Sequence, residues 1–256
     1  MFSGQSIDVI KKQLKLLSQE ELRIAEDALK SDARIGVRKL GSSLERQRLK
    51  REEGLKRILG MKRREEELKA QGHLFVAGID EAGRGPLAGP VVAACVVMRE
   101  DSLIIEVDDS KKIKEDVREN LFDRVIADSI SFGIGVAGNE EIDEINILQA
   151  TFLAMKRAMQ YLDPPADYLL IDGNQTLPEM TIRQEAIVQG DSSCYSIACA
   201  SILAKVYRDR LMREYDRIYP EFQFAKNKGY GTAEHYEALK KWGFTPIHRR
   251  TFLRDR

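Results

Sequence analysis

At 256 residues the chain is long enough to bury a real core, and it reads most simply as one main domain with an appendage. Hydrophobic residues make up 43% and charged residues 32%, and no apolar run reaches 18 residues, so no membrane-crossing helix is expected and the composition is that of a soluble protein. The formal net charge is zero but unevenly spread: residues 1–72 hold 18 Lys and Arg against 12 Asp and Glu, which leaves 23 against 29 for the rest. A basic appendage on an acidic body suits an arm that meets a polyanion, although such mixed charge also describes an ordinary solvated helix surface. The opening Met-Phe-Ser-Gly-Gln-Ser lacks the basic-then-apolar layout of a secretory signal. Cys95, Cys194 and Cys199 form an odd set without CxxC spacing and read as reduced packing residues, so the expected compartment is the cytoplasm.

Residues 5–70 read as helices alone. Ser6 precedes a helix from Ile7, Ser18 and Glu21 have capping-box spacing, and Asp32 precedes a third candidate start. Leu14, Leu17, Leu22, Ile24, Ala25 and Leu29 are spaced as helical faces. From Leu44 to Leu68 the expected apolar stripe is Leu55, Ile58 and Leu59, weakened by Gly54 and Gly60. The segment Asp32 to Gly41 reads either as a glycine-punctuated basic turn able to approach a phosphate backbone or as a linker. The boundary is set at residues 1–71 for the extension and 72–256 for the main domain.

The main domain opens with a strand over 73–80 and its partner over Val91 to Met98. Asp108-Asp109-Ser110 is expected to cap a helix from about Lys112 to Ile126. Alternation of Phe132, Ile134 and Val136 predicts a strand over Ser129–Gly138, and Asp143 and Asn146 lead into a helix from Ile147 to Leu162 that Pro164-Pro165 stops. Tyr168–Ile171 and Ala186–Gln189 follow as strands, then a long helix from about Tyr195 to Tyr215, and helices after Thr232 and around Trp242. The pattern is that of an α/β fold, a mixed sheet flanked by helices.

Carboxylates end these strands. Asp80 and Glu81 close the first, Asp172 follows Ile171, and Asp191 lies just beyond the fifth. Acid at the end of a buried strand reads either as a solvated turn or as a metal site. If the ends converge, the cluster repels itself unless divalent cations neutralise it, and hard oxygen donors select Mg²⁺ or Mn²⁺. Two such ions are able to activate a water and stabilise the leaving oxygen of a phosphodiester displacement. The chain has neither a Gly-x-Ser-x-Gly elbow nor a P-loop, which argues against serine hydrolase and nucleoside triphosphatase chemistry.

The stretch Gly78-Ile-Asp-Glu-Ala-Gly-Arg-Gly-Pro-Leu-Ala-Gly-Pro-Val-Val92 resembles the signature of ribonuclease HII. Further matches follow in order: Asp109-Ser-Lys-Lys112, Ile142-Asp-Glu-Ile-Asn-Ile-Leu148, Ile171-Asp-Gly173, the block Gly190 to Asp209, Lys228-Gly-Tyr-Gly-Thr232 and His248-Arg-Arg-Thr-Phe252. The resemblance covers about residues 73–256 and implies a ribonuclease H-like sheet with a helical N-terminal extension and C-terminal helices. It implies an endonuclease that cuts the RNA strand of RNA–DNA hybrids and incises 5′ of ribonucleotides embedded in duplex DNA, leaving a 3′-hydroxyl and a 5′-phosphate, in ribonucleotide excision and primer removal. Asp80, Glu81, Asp172 and Asp191 match the family's catalytic acids and ligands for two Mg²⁺ or Mn²⁺ ions; for Asp191 a helix cap is the alternative.

By the same resemblance, main-chain groups of Gly83, Arg84 and Gly85 sense the 2′-hydroxyl that DNA lacks. Tyr230 packs on the sugar at the junction, unless it is a buried core tyrosine. Lys111, Lys112, Lys205 and Lys228 are candidate backbone contacts. His73 and His235 are expected to be structural or surface residues, and His248, in a basic run, to meet phosphate. Arginine between the two glycines, with a helical arm, favours HII over the related ribonuclease HIII, which together with a non-catalytic hybrid-binding protein is the competing reading. The expected partners are hybrid and ribonucleotide-containing duplex, with no membrane, for a monomer.

Overall fold

The computed structural model describes residues 2, 4–110 and 112–253; Lys111, one of the candidate contacts, falls outside them. The chain forms two compact units, residues 1–57 and 58–256. Among the described residues no helix is long and apolar enough to cross a membrane.

The first unit begins with helices α1 (Ile7–Leu14) and α2 (Gln19–Lys30). Both start where side-chain oxygens can take up the first free N–H groups: Ser6 accepts from Val9 N, and Ser18 and Glu21 form the capping box. Helix α3 (Ile35–Met61) runs unbroken through Gly41, Gly54 and Gly60. The basic segment expected as a turn or linker over 32–41 is therefore mostly the first turns of this helix. Asp32 accepts the Arg34 N–H just before it. Ile10, Leu14, Ala25, Leu29 and Val37 form the unit's core, whereas Ile24 faces solvent. Of the expected stripe Leu55, Ile58 and Leu59, only Ile58 is buried, and it packs within the second unit. Helix α4 (Arg63–Ala70) follows.

The second unit is built on a five-stranded sheet in the order β3-β2-β1-β4-β5. Strand β1 (Val76–Ala82) and β2 (Val91–Met98) are antiparallel, and β3 (Ser129–Ala137) continues that pairing. Strands β4 (Tyr168–Asp172) and β5 (Arg183–Ile187) add in parallel beyond β1. Every residue of β2 is buried, each large side chain contributing about 1.5–3 kcal/mol, because the sheet is covered on both faces. On one face lies helix α6 (Asn139–Gln160) against Ala77, Ile79 and Val97; on the other, α5 (Glu115–Asp128) and the long α8 (Tyr195–Ile218) pack on Ala94 and Val96. Between β5 and α8 comes a single turn, α7 (Gly190–Ser193). Gly78 of β1 touches the start of α8 directly: a Cβ there would lie 2.2 Å from the Ser196 carbonyl carbon and 2.3 Å from Ile197 N.

Several boundaries differ from expectation, and β1 itself starts three residues later than expected. Helix α5 starts at Glu115, and the Asp108–Ser110 segment does not cap it. Helix α6 starts at Asn139, eight residues early, and kinks at Asn146, whose φ of 67° is left-handed. The Asn146 side chain accepts from Leu148 N and Gln149 N, so it caps the second segment, the part the sequence reveals. Strand β5 lies three residues earlier than expected at its start. The chain closes with α9 (Phe224–Asn227), α10 (Ala233–Trp242) and a 3₁₀ turn at Arg250–Phe252. Trp242 ends α10 and does not begin another helix.

Candidate active site

Register brings the strand-end acids together. Ile79 pairs with Ile171, so Asp80 and Asp172 come next on adjacent parallel strands, about 4.8 Å apart across the ladder. Asp80 shares the face of Gly78, the one that meets α8. A cleft of about 480 Å³ opens there, lined by Asp80, Glu81, the loop Ala82–Gly85, Ser110, Arg118, Asp172, Ser201, Lys205, Arg208 and Tyr230.

Asp80 is buried, and its carboxyl is held well above the ordinary carboxylate range, first by burial and then by the charges of Glu81 and Asp172. The Ser201 hydroxyl and the Glu81 N–H, 2.6 Å from Asp80 Oδ1, work in the opposite direction. Ser201 in turn meets Ser110 at 2.9 Å. Asp172 Oδ1 accepts from Gly190 N at 2.7 Å and Asp191 N at 3.4 Å. Asp191 is in α7, next to Asp172 through its N–H, and is not among the residues lining the cleft. Glu81 is paired with Arg84 Nη1 at 3.2 Å. Among the described residues no three acidic, histidine or cysteine side chains close round a single point in this conformation. The donor set still fits a hard divalent cation, because three carboxylates line one cleft and the charges of Glu81 and Asp172 disfavour that of Asp80, a repulsion that a cation would relieve.

In the loop that follows Glu81, Gly83 has a φ of 94°, and a Cβ added at Gly85 would lie 3.6 Å from the Tyr230 ring. Tyr230 is 48% exposed, which rules out the core tyrosine. Lys205 lines the cleft, and its amine is lowered by burial although Asp209 Oδ1 lies 2.6 Å away. Lys228 is turned to Glu115 at 3.2 Å and is not on the cleft wall, nor is Lys112. The three cysteines are buried and unpaired.

His248 does not meet phosphate. It is buried against Phe222 and Phe224, with its Nε2 2.9 Å from Nε2 of His235, which is buried too. Thr245 N donates to His248 Nδ1, and His235 Nδ1 lies 2.8 Å from Tyr230 O. The proton placement satisfying all three contacts leaves both rings neutral: His248 Nε2–H donates to His235, and His235 Nδ1–H to Tyr230 O. Burial and the neighbouring imidazole push His248 down to about 4. The adjacent Arg249 is also buried, with its donors on main-chain carbonyls. A run that looks like a phosphate contact in sequence is the rear support of the loop that carries Tyr230.

Comparison with known proteins decides the family. The ribonuclease HII model matches residues 77–255, and the model of its N-terminal domain matches 6–69. The chain belongs to the ribonuclease HII family. The ribonuclease HII of Clostridioides difficile is 47% identical over 253 residues, 98% of each chain. That of Caldanaerobacter subterraneus subsp. tengcongensis is 55% identical over 202 residues, 79% of this chain and 83% of its own. Among solved structures, the ribonuclease H2 of Pyrococcus horikoshii OT3 superposes with a TM-score of 0.59 at 30% identity, covering 70% of this chain and 93% of that one. As a member of ribonuclease HII, the protein is a ribonuclease H, a nuclease that acts on RNA–DNA hybrids, on a ribonuclease H-like α/β fold.

Sequence reasoning placed Asp80, Glu81, Asp172, Gly83, Arg84, Gly85, Lys205 and Tyr230 in what proves to be one cleft. It missed Ser110, Ser201, Arg118 and Arg208. The spacing of Ser201, Lys205 and Arg208 at i, i+4 and i+7 on α8 is a helical face that carried the signal.

Proposed function

We propose that this enzyme incises the strand 5′ of a ribonucleotide embedded in duplex DNA as well as the RNA of hybrids, leaving a 3′-hydroxyl and a 5′-phosphate. The carrying observation is one cleft lined by three acids, Asp80, Glu81 and Asp172, by the loop Ala82–Gly85 and by the exposed Tyr230. Mg²⁺ or Mn²⁺ ions, two of them during the reaction, would neutralise the acids and polarise the phosphodiester, with Asp80, Glu81, Asp172 and Asp191 as ligands. Ser201 orients Asp80. The N–H groups of Gly190 and Asp191 orient Asp172. Gly83, Arg84 and Gly85 meet the ribose, Arg84 and Lys205 the phosphates, and Tyr230 stacks on the sugar at the RNA-to-DNA junction. Lys228, turned to Glu115, must leave that pair to reach a phosphate. Ribonucleotide excision and primer removal in the cytoplasm, by a monomer with an N-terminal helical extension and a catalytic domain, complete the proposal.

The test uses a DNA duplex with a single ribonucleotide beside an all-DNA duplex, each with Mg²⁺, Mn²⁺ or chelator. Metal-dependent incision only on the 5′ side of the ribonucleotide is the expected result. Cleavage of long hybrids with the single-ribonucleotide duplex left intact would overturn it.

A further inference from the structure

Arg208, on α8 in the cleft lining, and Arg249, outside that lining, are 1% and 0% exposed. A buried guanidinium needs planar, complete hydrogen bonding to offset its lost hydration. Arg249 donates from Nε to Gly89 O at 2.9 Å, from Nη1 to Arg84 O at 2.9 Å and from Nη2 to Gly83 O at 2.6 Å. Arg208 donates to Pro90 O at 2.9 Å, Lys228 O at 2.9 Å and Ala88 O at 3.1 Å. Six directed donors therefore fix six carbonyls of the two loops that border the cleft. Of the six, the two to the Gly83 and Arg84 carbonyls come from Arg249.

Peptide planarity converts this into a statement about the cleft side. In a trans peptide the C=O of one residue and the N–H of the next point in opposite directions. With the Gly83 and Arg84 carbonyls drawn back onto Arg249, the N–H groups of Arg84 and Gly85 point away from it, and both residues line the cleft. Among the described residues neither N–H donates to an acceptor within the protein. Gly83 is the hinge that permits this, since a Cβ there would lie 2.0 Å from Arg208 Nε.

We infer that Arg249 is a positioning residue for ribose recognition, holding two consecutive peptide planes so that the Arg84 and Gly85 N–H groups form a donor pair for the 2′-oxygen of the ribonucleotide. Arg208 locks the neighbouring turn, and through Lys228 O the turn of Tyr230, to the same frame. The inference rests on the proposed role of the Gly83–Gly85 loop and adds the residue that makes the role possible. Lysine keeps the charge but cannot present three coplanar donors, so Arg249→Lys isolates geometry from charge.

The experiment compares full-length wild type and R249K. Cleavage of a single-ribonucleotide duplex is measured, together with binding of that duplex and of an all-DNA duplex in chelator. R249K is expected to lower kcat/KM about 100-fold, the scale of a roughly ångström displacement in a site. It is also expected to bring the ribonucleotide-over-DNA binding preference close to one while all-DNA affinity is retained. A variant that keeps the preference, or loses affinity for both duplexes alike, overturns the inference. Amide hydrogen exchange on the wild type covers the case in which R249K does not fold: the Arg84 and Gly85 amides should be protected by the ribonucleotide duplex and not by the all-DNA one. Protection by neither, or equally by both, overturns it as well. A wild type without any ribonucleotide preference overturns the parent reading along with this one, whereas a preference that survives R249K overturns this one alone.

Discussion

The two units differ in the charge they bury without an opposite partner. In the first, Glu26 is 4% exposed, yet Lys30 at 3.1 Å and Arg48 at 3.0 Å both meet it, and Asp32 holds Arg34 at 2.8 Å. The second has such a pairing too, Asp209 with Lys205 at 2.6 Å and Arg118 at 3.5 Å, but it also buries Asp80 beside two further carboxylates, and Arg208 and Arg249 against carbonyl groups. Opposite charges that meet inside a fold offset part of each other's desolvation cost. Like charges gathered on one wall leave a deficit that costs stability, and the surrounding structure has to over-determine their positions. The comparison locates function in the second unit without reference to any relative.

Substituting Asp80 is the strongest way to break the contrast. Asp80→Asn should lower cleavage by at least about 100-fold, since even residues that merely support a metal ligand act on the scale of 10–100-fold. In chelator the same variant should melt higher than wild type. The native carboxyl is raised above its unfolded value, so its contribution is present at low pH and lost as pH rises past the ordinary carboxylate range of about 4. The gain of Asp80→Asn should therefore grow with pH; thermal melts at pH 4 and 7 check it, and a gain independent of pH would remove the like-charge account. Tyr230→Ala comes next, with roughly a 10-fold loss on a single-ribonucleotide duplex and a smaller one on a long hybrid, as expected of one stacking contact. Equal losses on the two substrates would count against junction recognition.

The histidine pair gives a smaller, pH-gated effect. His248 is depressed to about 4, so the stability it contributes is present above the ordinary histidine range and is lost as pH falls from about 6.5 towards 4. Urea midpoints of wild type should decline through that interval, and His248→Gln should flatten the decline. Smallest of all is Glu26→Gln, which weakens the pairing with Lys30 and Arg48. A drop of a few degrees in melting temperature with cleavage rates unchanged is expected; altered cleavage would mean that the first unit's charge is not self-contained.

How much of this could be read from the chain alone follows from the same physics. Val91–Met98 is a continuous apolar run after Gly-Pro, and both ends of β2 were legible. The start of α6, Asn-Glu-Glu-Ile-Asp-Glu-Ile, is too polar to show a face, and the capping Asn146 hides the continuity across the kink. Strand β5, Arg-Gln-Glu-Ala-Ile, is partly exposed on the sheet edge and carries almost no hydrophobic signal. The acids were legible because carboxylates at strand ends are conspicuous. Arg208 and Arg249 were not, because nothing in a sequence separates an arginine whose donors are spent on carbonyls from one waving in solvent. His248 was misread for the same reason: its neighbours in the chain are basic, but its neighbours in space are Phe222, Phe224 and His235.

Gly78 bears on how such an enzyme can change over generations. Because the main chain of β1 rests on the main chain of α8 at this residue, the separation between the strand that carries Asp80 and the helix that carries Ser201, Lys205 and Arg208 is set by backbone thickness and not by the size of any side chain. Swaps among the apolar residues that fill the rest of this layer can raise or lower the melting point while leaving that gauge alone. Substitutions in the core are thus decoupled from the width of the cleft, and drift in one need not be answered by compensation in the other. The exception is Gly78 itself, where a single added methyl group would act as a wedge.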